Sequence, residues 1–473
     1  MRSHPLALVF SFLIAFILGL SSPGTALPQP KPKGPGQPPP PPRPPGQGTG
    51  GPGPQATLAQ LGKQIFFDRS LSNPAGTACA SCHAPATGFT FPSSNTNAQI
   101  GTAPGAAPGR FGNRKPSTIS YASFSPKGPT FNPALKVYFG GQFWDGRAPD
   151  LVAQVPGPLF NVNEMNNVLH NLPAPELVVQ NIAKGGYATL FKQVFGANVF
   201  ALPPAQVIPL VAQAVATWET TAEVSSFSSK YDMARNGQAQ LNASELNGLR
   251  LVTGSTTGRP GGPPFKNAQC GICHGIPADP RTGPDLWTFF GFANIGVPRN
   301  PRNPFYIQTN AATNPLGFNA QGANFVDYGL GGVLYPAQKL PAGNTGVGSN
   351  GLGDFLAING LFKTPTLRNV DKRPSPAFVK AYFHNGGFKS LEQVVRFYNT
   401  RNLTSKAGEV IDFTLANPYA GLVGQPIWPP PEVLPALTLQ NPTGQAGKIG
   451  NLGLTLQEEA DIVAFLRTLT DQR

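Results

Sequence analysis

Apolar residues recur at helical spacing in two long stretches of the chain, whereas the alternation that strands show is scarce. Residues 56–67 place four apolar side chains on one face of a predicted helix: Leu58, Leu61, Ile65 and Phe66. A second periodic stretch runs from residue 204 to residue 224 around Trp218. This pattern predicts a mainly α-helical fold.

Three later helix starts carry the residues of an N-terminal cap. In each, a side-chain acceptor is followed three residues later by Glu or Gln, which can reach back to the cap. The pairs are Asn242 with Glu245, Ser390 with Gln393, and Thr455 with Glu458. The segment from Gly283 to Gly353 is rich in Gly, Asn and Pro, which predicts long irregular loops.

The first 55 residues lack the pattern of a globular core. Arg2 precedes an apolar run that ends at Leu20, and small residues follow, which is typical of a secretory signal peptide over residues 1–26. An uncleaved membrane anchor is the less favoured alternative, because the run is short for a membrane span. Residues 27–55 are dominated by Pro, Gly and Gln and are predicted to be a disordered linker. We therefore expect an exported, for example periplasmic, protein.

All four cysteines of the chain lie in two copies of the pattern Cys-x-x-Cys-His. The copies are Cys79-Ala80-Ser81-Cys82-His83 and Cys270-Gly271-Ile272-Cys273-His274. This pattern is typical of c-type haem attachment, in which two thiols bond to the haem vinyl groups and the histidine binds the iron. The sequence therefore predicts two covalently bound haem c groups, with His83 and His274 as iron ligands.

A zinc site or a redox disulfide is the alternative for these cysteine pairs. Four thiolates with a histidine behind each pair are unusual for zinc, which four ligands normally close. A thioredoxin-like pair would follow a strand, whereas Ala75–Ala78 and Lys266–Gln269 have no strand pattern. Haem is favoured, and one motif in each half predicts two cytochrome c-like domains, over residues 56–235 and 236–473.

Further motifs around the haem sites resemble the bacterial dihaem cytochrome c peroxidases, including their MauG-like branch. In chain order they are Leu61–Asp68, Gly88–Thr90, Phe143–Ala148, Gln154, Pro158, Glu164–Met165, Lys363–Asn369 and Tyr382–Gly386. The resemblance implies that hydrogen peroxide reacts at the N-terminal haem. It also implies that the C-terminal haem receives electrons from a small cytochrome or copper protein.

The resemblance assigns catalytic roles to three residues. Gln154 and Glu164 match the distal pair of the reactive haem, where Glu164 would move a proton between the peroxide oxygens and Gln154 would orient the peroxide. Trp144 matches the tryptophan that lies between the two haems and can bridge electron transfer. A plain core aromatic is the alternative for Trp144.

The resemblance also implies one calcium ion between the domains. Backbone carbonyls around Lys363 and Pro365 would bind it, together with an amide side chain. Asn113 is the candidate for that amide, although the order Asn113-Arg114-Lys115-Pro116 departs from the usual Arg-Asn-x-Pro of the family.

Two departures from the ordinary peroxidases concern the haem ligands. No histidine occurs between His83 and His170, so the distal histidine that caps many resting reactive haems is missing. We therefore predict an open or water-bound reactive haem that needs no reductive activation. The chain also has no methionine late in the second half. Tyr398 is the predicted sixth ligand of the C-terminal haem, as in MauG-like proteins, and His384 or no ligand is the alternative.

Three functions follow from these residues. A peroxidase that reduces peroxide to water is favoured, and the alternatives are a MauG-like enzyme that oxidises a side chain of a partner protein and a passive dihaem electron carrier. Gln154 and Glu164 argue against the carrier, which needs no acid–base pair. A homodimer is a further possibility.

Charge changes this picture only slightly. The net charge is +13, and without the four basic residues before residue 55 it is 13 minus 4, or +9. This basic bias favours an acidic electron donor. A nucleic-acid partner is not expected, because no basic cluster with interleaved aromatic residues occurs.

Overall fold

The structure of the protein is a computed structural model. The described residues are 53–133, 135, 137–170, 172–254, 266–275, 285–307, 319, 321–334, 358–404, 424–434 and 449–472. The predicted signal peptide, nearly all of the predicted linker and much of Gly283–Gly353 lie outside them. Within the described ranges, no helix has both the length and the apolar character needed to cross a membrane.

The architecture is mainly helical, as predicted. The α-helices are Pro54–Phe67, Cys79–Cys82, Ser94–Gln99, Leu151–Gln154, Pro156–Phe160, Pro175–Lys184, Ala188–Phe195, Pro204–Glu219, Lys230–Arg235, Ala243–Thr253, Gly271–His274, Leu330–Leu334, Leu391–Thr400 and Leu456–Arg467. The 3-10 helices are Arg69–Leu71, Pro85–Thr87, Ala122–Phe124, Val199–Ala201, Pro304–Ile307 and Gly322–Asn324. The strands form antiparallel pairs, Thr130–Asn132 with Val137–Phe139, Val168–Leu169 with Leu172–Pro173, and Phe292–Ala293 with Phe362–Lys363.

A first hydrophobic core forms between helices Pro54–Phe67 and Pro204–Glu219. The predicted apolar face of the first helix lies in it, with Leu58 partly buried and Leu61, Ile65 and Phe66 fully buried, so this helix is confirmed. The two helices approach closely at Gly62, where a Cβ atom would lie 1.9 Å from the carbonyl oxygen of Ala214.

The second helix of this core ends at Glu219, earlier than the predicted residue 224. The hydroxyls of Thr220 and Thr221 donate to the carbonyls of Thr217 and Trp218, respectively, each at 2.7 Å. These hydroxyls compete with the backbone amides for the carbonyl oxygens of the last turn, which disfavours continuation of the helix. The spacing of apolar residues alone does not predict that the helix ends at Glu219.

A second core forms around helices Ala243–Thr253, Leu391–Thr400 and Leu456–Arg467. Two of its helices also approach closely at a glycine, because a Cβ on Gly248 would lie 1.9 Å from the carbonyl oxygen of Asp461. The first core contains residues up to Val224, and the second begins at Tyr231. The domain boundary after residue 235 stays a prediction.

The predicted caps are present at all three helix starts. Asn242 and Thr455 each form a reciprocal capping box, with Glu245 and Glu458. The hydroxyl of Ser390 also accepts from the amide of Gln393, at 3.2 Å. The Gln393 side chain differs from the prediction, since it accepts from the amide of Lys389 instead of that of Ser390.

Candidate active site

The first haem motif forms a short helix, Cys79–Cys82, and His83 follows it. Nδ1 of His83 donates to the carbonyl oxygen of Phe89 at 3.1 Å, which leaves Nε2 as the nitrogen for iron. Phe89 has a left-handed backbone, with φ of 56°, directly after Gly88. Burial lowers the pKa of His83 to about 4, so its ring is in the neutral form that binds a metal.

The second haem motif repeats this arrangement. Nδ1 of His274 donates to the carbonyl oxygen of Trp287 at 3.2 Å, and Trp287 also has a left-handed backbone, with φ of 53°. Burial lowers the pKa of His274 to about 4. The two carbonyl partners were not identified from the sequence, although Gly88 was a local signal for the first.

Each haem motif faces its own cavity, lined by both cysteines and the histidine of that motif. Burial raises the pKa of Cys273 to about 11 and that of the other three thiols to about 12. Among the described residues, no group of three or more His, Cys, Asp or Glu side chains is placed to hold a metal ion such as zinc. The residues therefore fit covalent haem, with His83 in the first cavity and His274 in the second cavity as iron ligands.

The predicted distal pair lies in the first cavity with His83. Gln154 ends the helix Leu151–Gln154, whose start is capped by Asp150. Glu164 is held by its backbone, which donates to Asn161 at 3.0 Å and accepts from Ala106 at 2.6 Å. Burial raises the pKa of Glu164, and the nearby charge of Arg147 partly opposes the rise.

His83 is the only histidine among the described residues that line the first cavity. His170 is exposed and does not line it. The described lining of the first cavity is consistent with a reactive haem without a distal histidine, which stays a prediction.

Glu219 is a further acidic residue of the first cavity that the sequence argument missed. Its side chain is at the end of helix Pro204–Glu219 and is only 3% exposed. Its Oε2 atom has no hydrogen-bond partner among the described residues. Burial raises the pKa of Glu219 to about 8. The sequence signal for a buried carboxyl group here is that Glu219 directly follows the core residue Trp218.

Trp144 is the only described residue that lines both cavities. Its indole Nε1 donates to the carbonyl of Lys115 at 2.8 Å, and its own carbonyl accepts from the amide of Lys363 at 2.7 Å. Its ring centroid is 6.5 Å from that of His384 in the second cavity. This position suits a bridge between two haems, as the resemblance implied.

Tyr398 and His384 both line the second cavity with His274. Burial raises the pKa of Tyr398 above its usual range, and the neighbouring Cys273 and Cys270 add to the rise. The ring of His384 stacks on Phe362 at 3.6 Å, and its buried Nε2 has no partner among the described residues. Tyr398 stays the predicted sixth ligand, and His384 stays the alternative.

Two of the residues predicted to bind calcium make contacts through atoms other than the predicted ligand atoms. The carbonyl of Asn113 accepts from the side chain of Asn303 at 2.7 Å. The amine of Lys363 donates to the carbonyl of Gly141. Pro365 lines the second cavity. Calcium binding by Asn113, Lys363 and Pro365 stays a prediction.

Comparison with known proteins identifies the family. Residues 56–240 match the model of the di-haem cytochrome c peroxidase family. The methylamine utilization protein MauG of Paracoccus denitrificans is 32% identical over 419 residues, which are 88% of this chain and 89% of that protein. This chain belongs to the di-haem cytochrome c peroxidase family.

Other members of the di-haem peroxidase family are similar over most of the chain. The cytochrome c551 peroxidase of Nitrosomonas europaea is 28% identical and covers 72% of each chain. The diheme peroxidase BthA of Burkholderia thailandensis has a TM-score of 0.60 and 27% identity, with 89% of each chain covered. Family membership implies two haem groups and oxidoreductase chemistry. The relatives carry both peroxidase and MauG names, so membership alone does not choose between the two enzyme functions.

Proposed function

We propose that this protein is an exported dihaem peroxidase that reduces hydrogen peroxide to water with electrons from a small redox protein. The observation that carries the proposal is that Glu164 and Gln154 line the same cavity as His83. A passive electron carrier would gain nothing from an acid–base pair at one of its iron sites.

A haem held by His83 would supply the redox chemistry for the reduction of peroxide. The Glu164 carboxylate accepts a proton from the inner peroxide oxygen and returns it to the outer oxygen, which leaves as water. The Gln154 amide orients the peroxide by hydrogen bonding. Two electrons and two protons convert each peroxide into two water molecules.

Electrons enter at the second haem site and pass Trp144, which lines both cavities. The basic bias of the chain favours an acidic donor, either a small cytochrome or a copper protein. The proposal places the protein in the periplasm or otherwise outside the cytoplasm, because its first 26 residues have the pattern of a signal peptide.

The second candidate is a MauG-like oxidation of a side chain on a partner protein. The position of Tyr398 in the cavity of His274 favours it, because a phenolate oxygen is a hard, anionic ligand that stabilises oxidised iron. The identity with the Paracoccus MauG also favours it. No described residue identifies the protein substrate.

The substitution Glu164→Gln tests the proposed function. It removes the proton acceptor while keeping the size of the side chain, so peroxide turnover should fall by about 10²–10⁴-fold with both haems still bound. Steady-state peroxide consumption and the haem spectrum of the full-length holoprotein measure this.

Glu223→Gln is the matched control for this test. Glu223 is 55% exposed, pairs with Lys63 and does not line either cavity. Its turnover should stay close to that of the wild type. Equal turnover of the Glu164→Gln variant and this control would show that the carboxylate at 164 has no acid–base role.

A further inference from the structure

A buried guanidinium joins two carboxylates beside Trp144. Nη1 of Arg114 donates to Asp145 at 2.6 Å, and its Nε and Nη2 donate to the two oxygens of Asp327 at 2.7 and 2.6 Å. The Arg114 side chain is 11% exposed. Although burial opposes it, Arg114 holds the pKa of Asp327 at about 2, so this carboxylate is ionised at neutral pH. Such forked, charged hydrogen bonds fix geometry strongly.

This ion-pair cluster of Arg114, Asp145 and Asp327 holds three separate chain segments around Trp144. Asp145 directly follows Trp144, and Lys115, whose carbonyl accepts from the Trp144 indole, directly follows Arg114. Asp327 belongs to the wall of the second cavity, and Arg114 and Trp144 belong to the wall of the first. The cluster therefore ties the two cavity walls together next to the residue that they share.

The same cluster does not suit a calcium ion, which needs several free oxygen ligands. The oxygens of Asp145 and Asp327 accept from guanidinium groups, since Arg147 also donates to Asp145 at 3.0 Å. The amine of Lys363 adds another basic group, which interacts with Asp145. Arg114 directly follows Asn113, the predicted amide ligand of calcium.

We propose that Arg114 replaces a divalent cation between the two haem sites, so that this protein positions Trp144 without calcium. Arg114 is a positioning residue, because it acts through Asp145 and Asp327 on the Trp144 segment. The proposal that no calcium ion is bound does not depend on the proposed function. Only the role given to Trp144 in electron transfer depends on the proposed function. If this inference holds, no calcium ion is bound at the site predicted for Asn113, Lys363 and Pro365.

The first test uses the full-length holoprotein. It is dialysed against a calcium chelator or against calcium chloride, and bound calcium and the reduction potentials of both haems are then measured. We expect no stoichiometric calcium and the same potentials in both conditions. About one calcium ion per chain, or potentials that shift on chelation and recover with calcium, would overturn the inference. Neither readout uses peroxide, so failure here differs from failure of the proposed peroxidase.

The second test substitutes the guanidinium. Arg114→Asn removes the fixed cation and supplies an amide, so the haem potentials should shift in chelator and move back when calcium is added. Arg114→Lys keeps the charge and should shift the potentials less. Arg467→Asn is the control, because Arg467 also contacts two carboxylates, those of Asp371 and Glu392, but lines neither cavity.

The inference is contradicted if Arg114→Asn has wild-type potentials in chelator. If that variant fails to bind haem, Arg114→Lys and the chelated wild-type protein decide: a calcium-sensitive wild type contradicts the inference, and a calcium-free wild type with unchanged potentials supports it.

Discussion

At Glu164, burial and a neighbouring charge act on one carboxyl group in opposite directions. Burial raises its pKa above the usual 4.5, and Arg147 partly counteracts this. Because the proposed role needs the carboxylate, peroxide turnover should rise with pH only as Glu164 loses its proton, above the range of an exposed glutamate. Arg147→Gln should move this rise to higher pH, since it removes the opposing charge. A pH profile of kcat/KM checks both, and identical profiles would argue against the assignment.

Glu219 has the clearest consequence for stability. Its pKa is raised by burial from 4.5 to about 8, so the folded protein retains a proton that the unfolded chain releases. The contribution of protonated Glu219 to the stability of the folded protein is fully present below pH 4.5 and is lost as the pH rises through about 8. Glu219→Gln cannot lose this proton, so the variant should lose less stability across that window.

Thermal unfolding of the holoprotein, measured on both sides of this pH window, tests the role of Glu219. The melting temperature of the wild type should fall more steeply with pH than that of Glu219→Gln. Parallel pH dependences of the two proteins would mean that Glu219 ionises freely in the folded state.

At the scale of the elements, both cores depend on a helix pair that crosses at a glycine. A Cβ on Gly62 or on Gly248 would meet a backbone carbonyl oxygen at 1.9 Å, and a backbone atom cannot move aside as a flexible side chain can. Gly62→Ala and Gly248→Ala should each destabilise the protein by about 1–3 kcal/mol. Chemical denaturation measures this.

Gly186→Ala is the control for the helix crossings, because a Cβ there would meet no atom within 4 Å. Its free energy of unfolding should stay close to that of the wild type. Equal stability of all three alanine variants would contradict the close helix approach.

Some elements could be predicted from the sequence because their causes are local. The caps at Asn242 and Thr455 need residues three apart, and the apolar face of residues 56–67 needs only the helical period. The end of helix Pro204–Glu219 was placed too late, because the Thr220 and Thr221 hydroxyls interrupt an apolar pattern that continues.

At the scale of the whole molecule, the haem motifs and the distal pair were predicted from residue identity and from the resemblance. The structure brings Gln154 and Glu164 into one cavity with His83. The contacts of Arg114 with Asp327 could not be predicted, because these residues are 213 positions apart in the chain. The ionisation of Glu219 likewise depends on burial by other segments.

Under the proposed function, Trp144, which among the described residues alone lines both cavities, is the bridge for electrons from the second haem site to the peroxide at the first. His83 is the only histidine among the described lining residues of the first cavity, so we expect that site to need no reductive opening. The fully oxidised protein should therefore be active.

The most direct measurement is peroxide-dependent oxidation of a reduced small cytochrome c by the oxidised, fully haem-loaded protein without pre-reduction. We predict immediate turnover, with two donor molecules oxidised for each peroxide consumed. No donor oxidation, while peroxide still changes the haem spectrum persistently, would contradict the peroxidase account and favour oxidation of a partner protein.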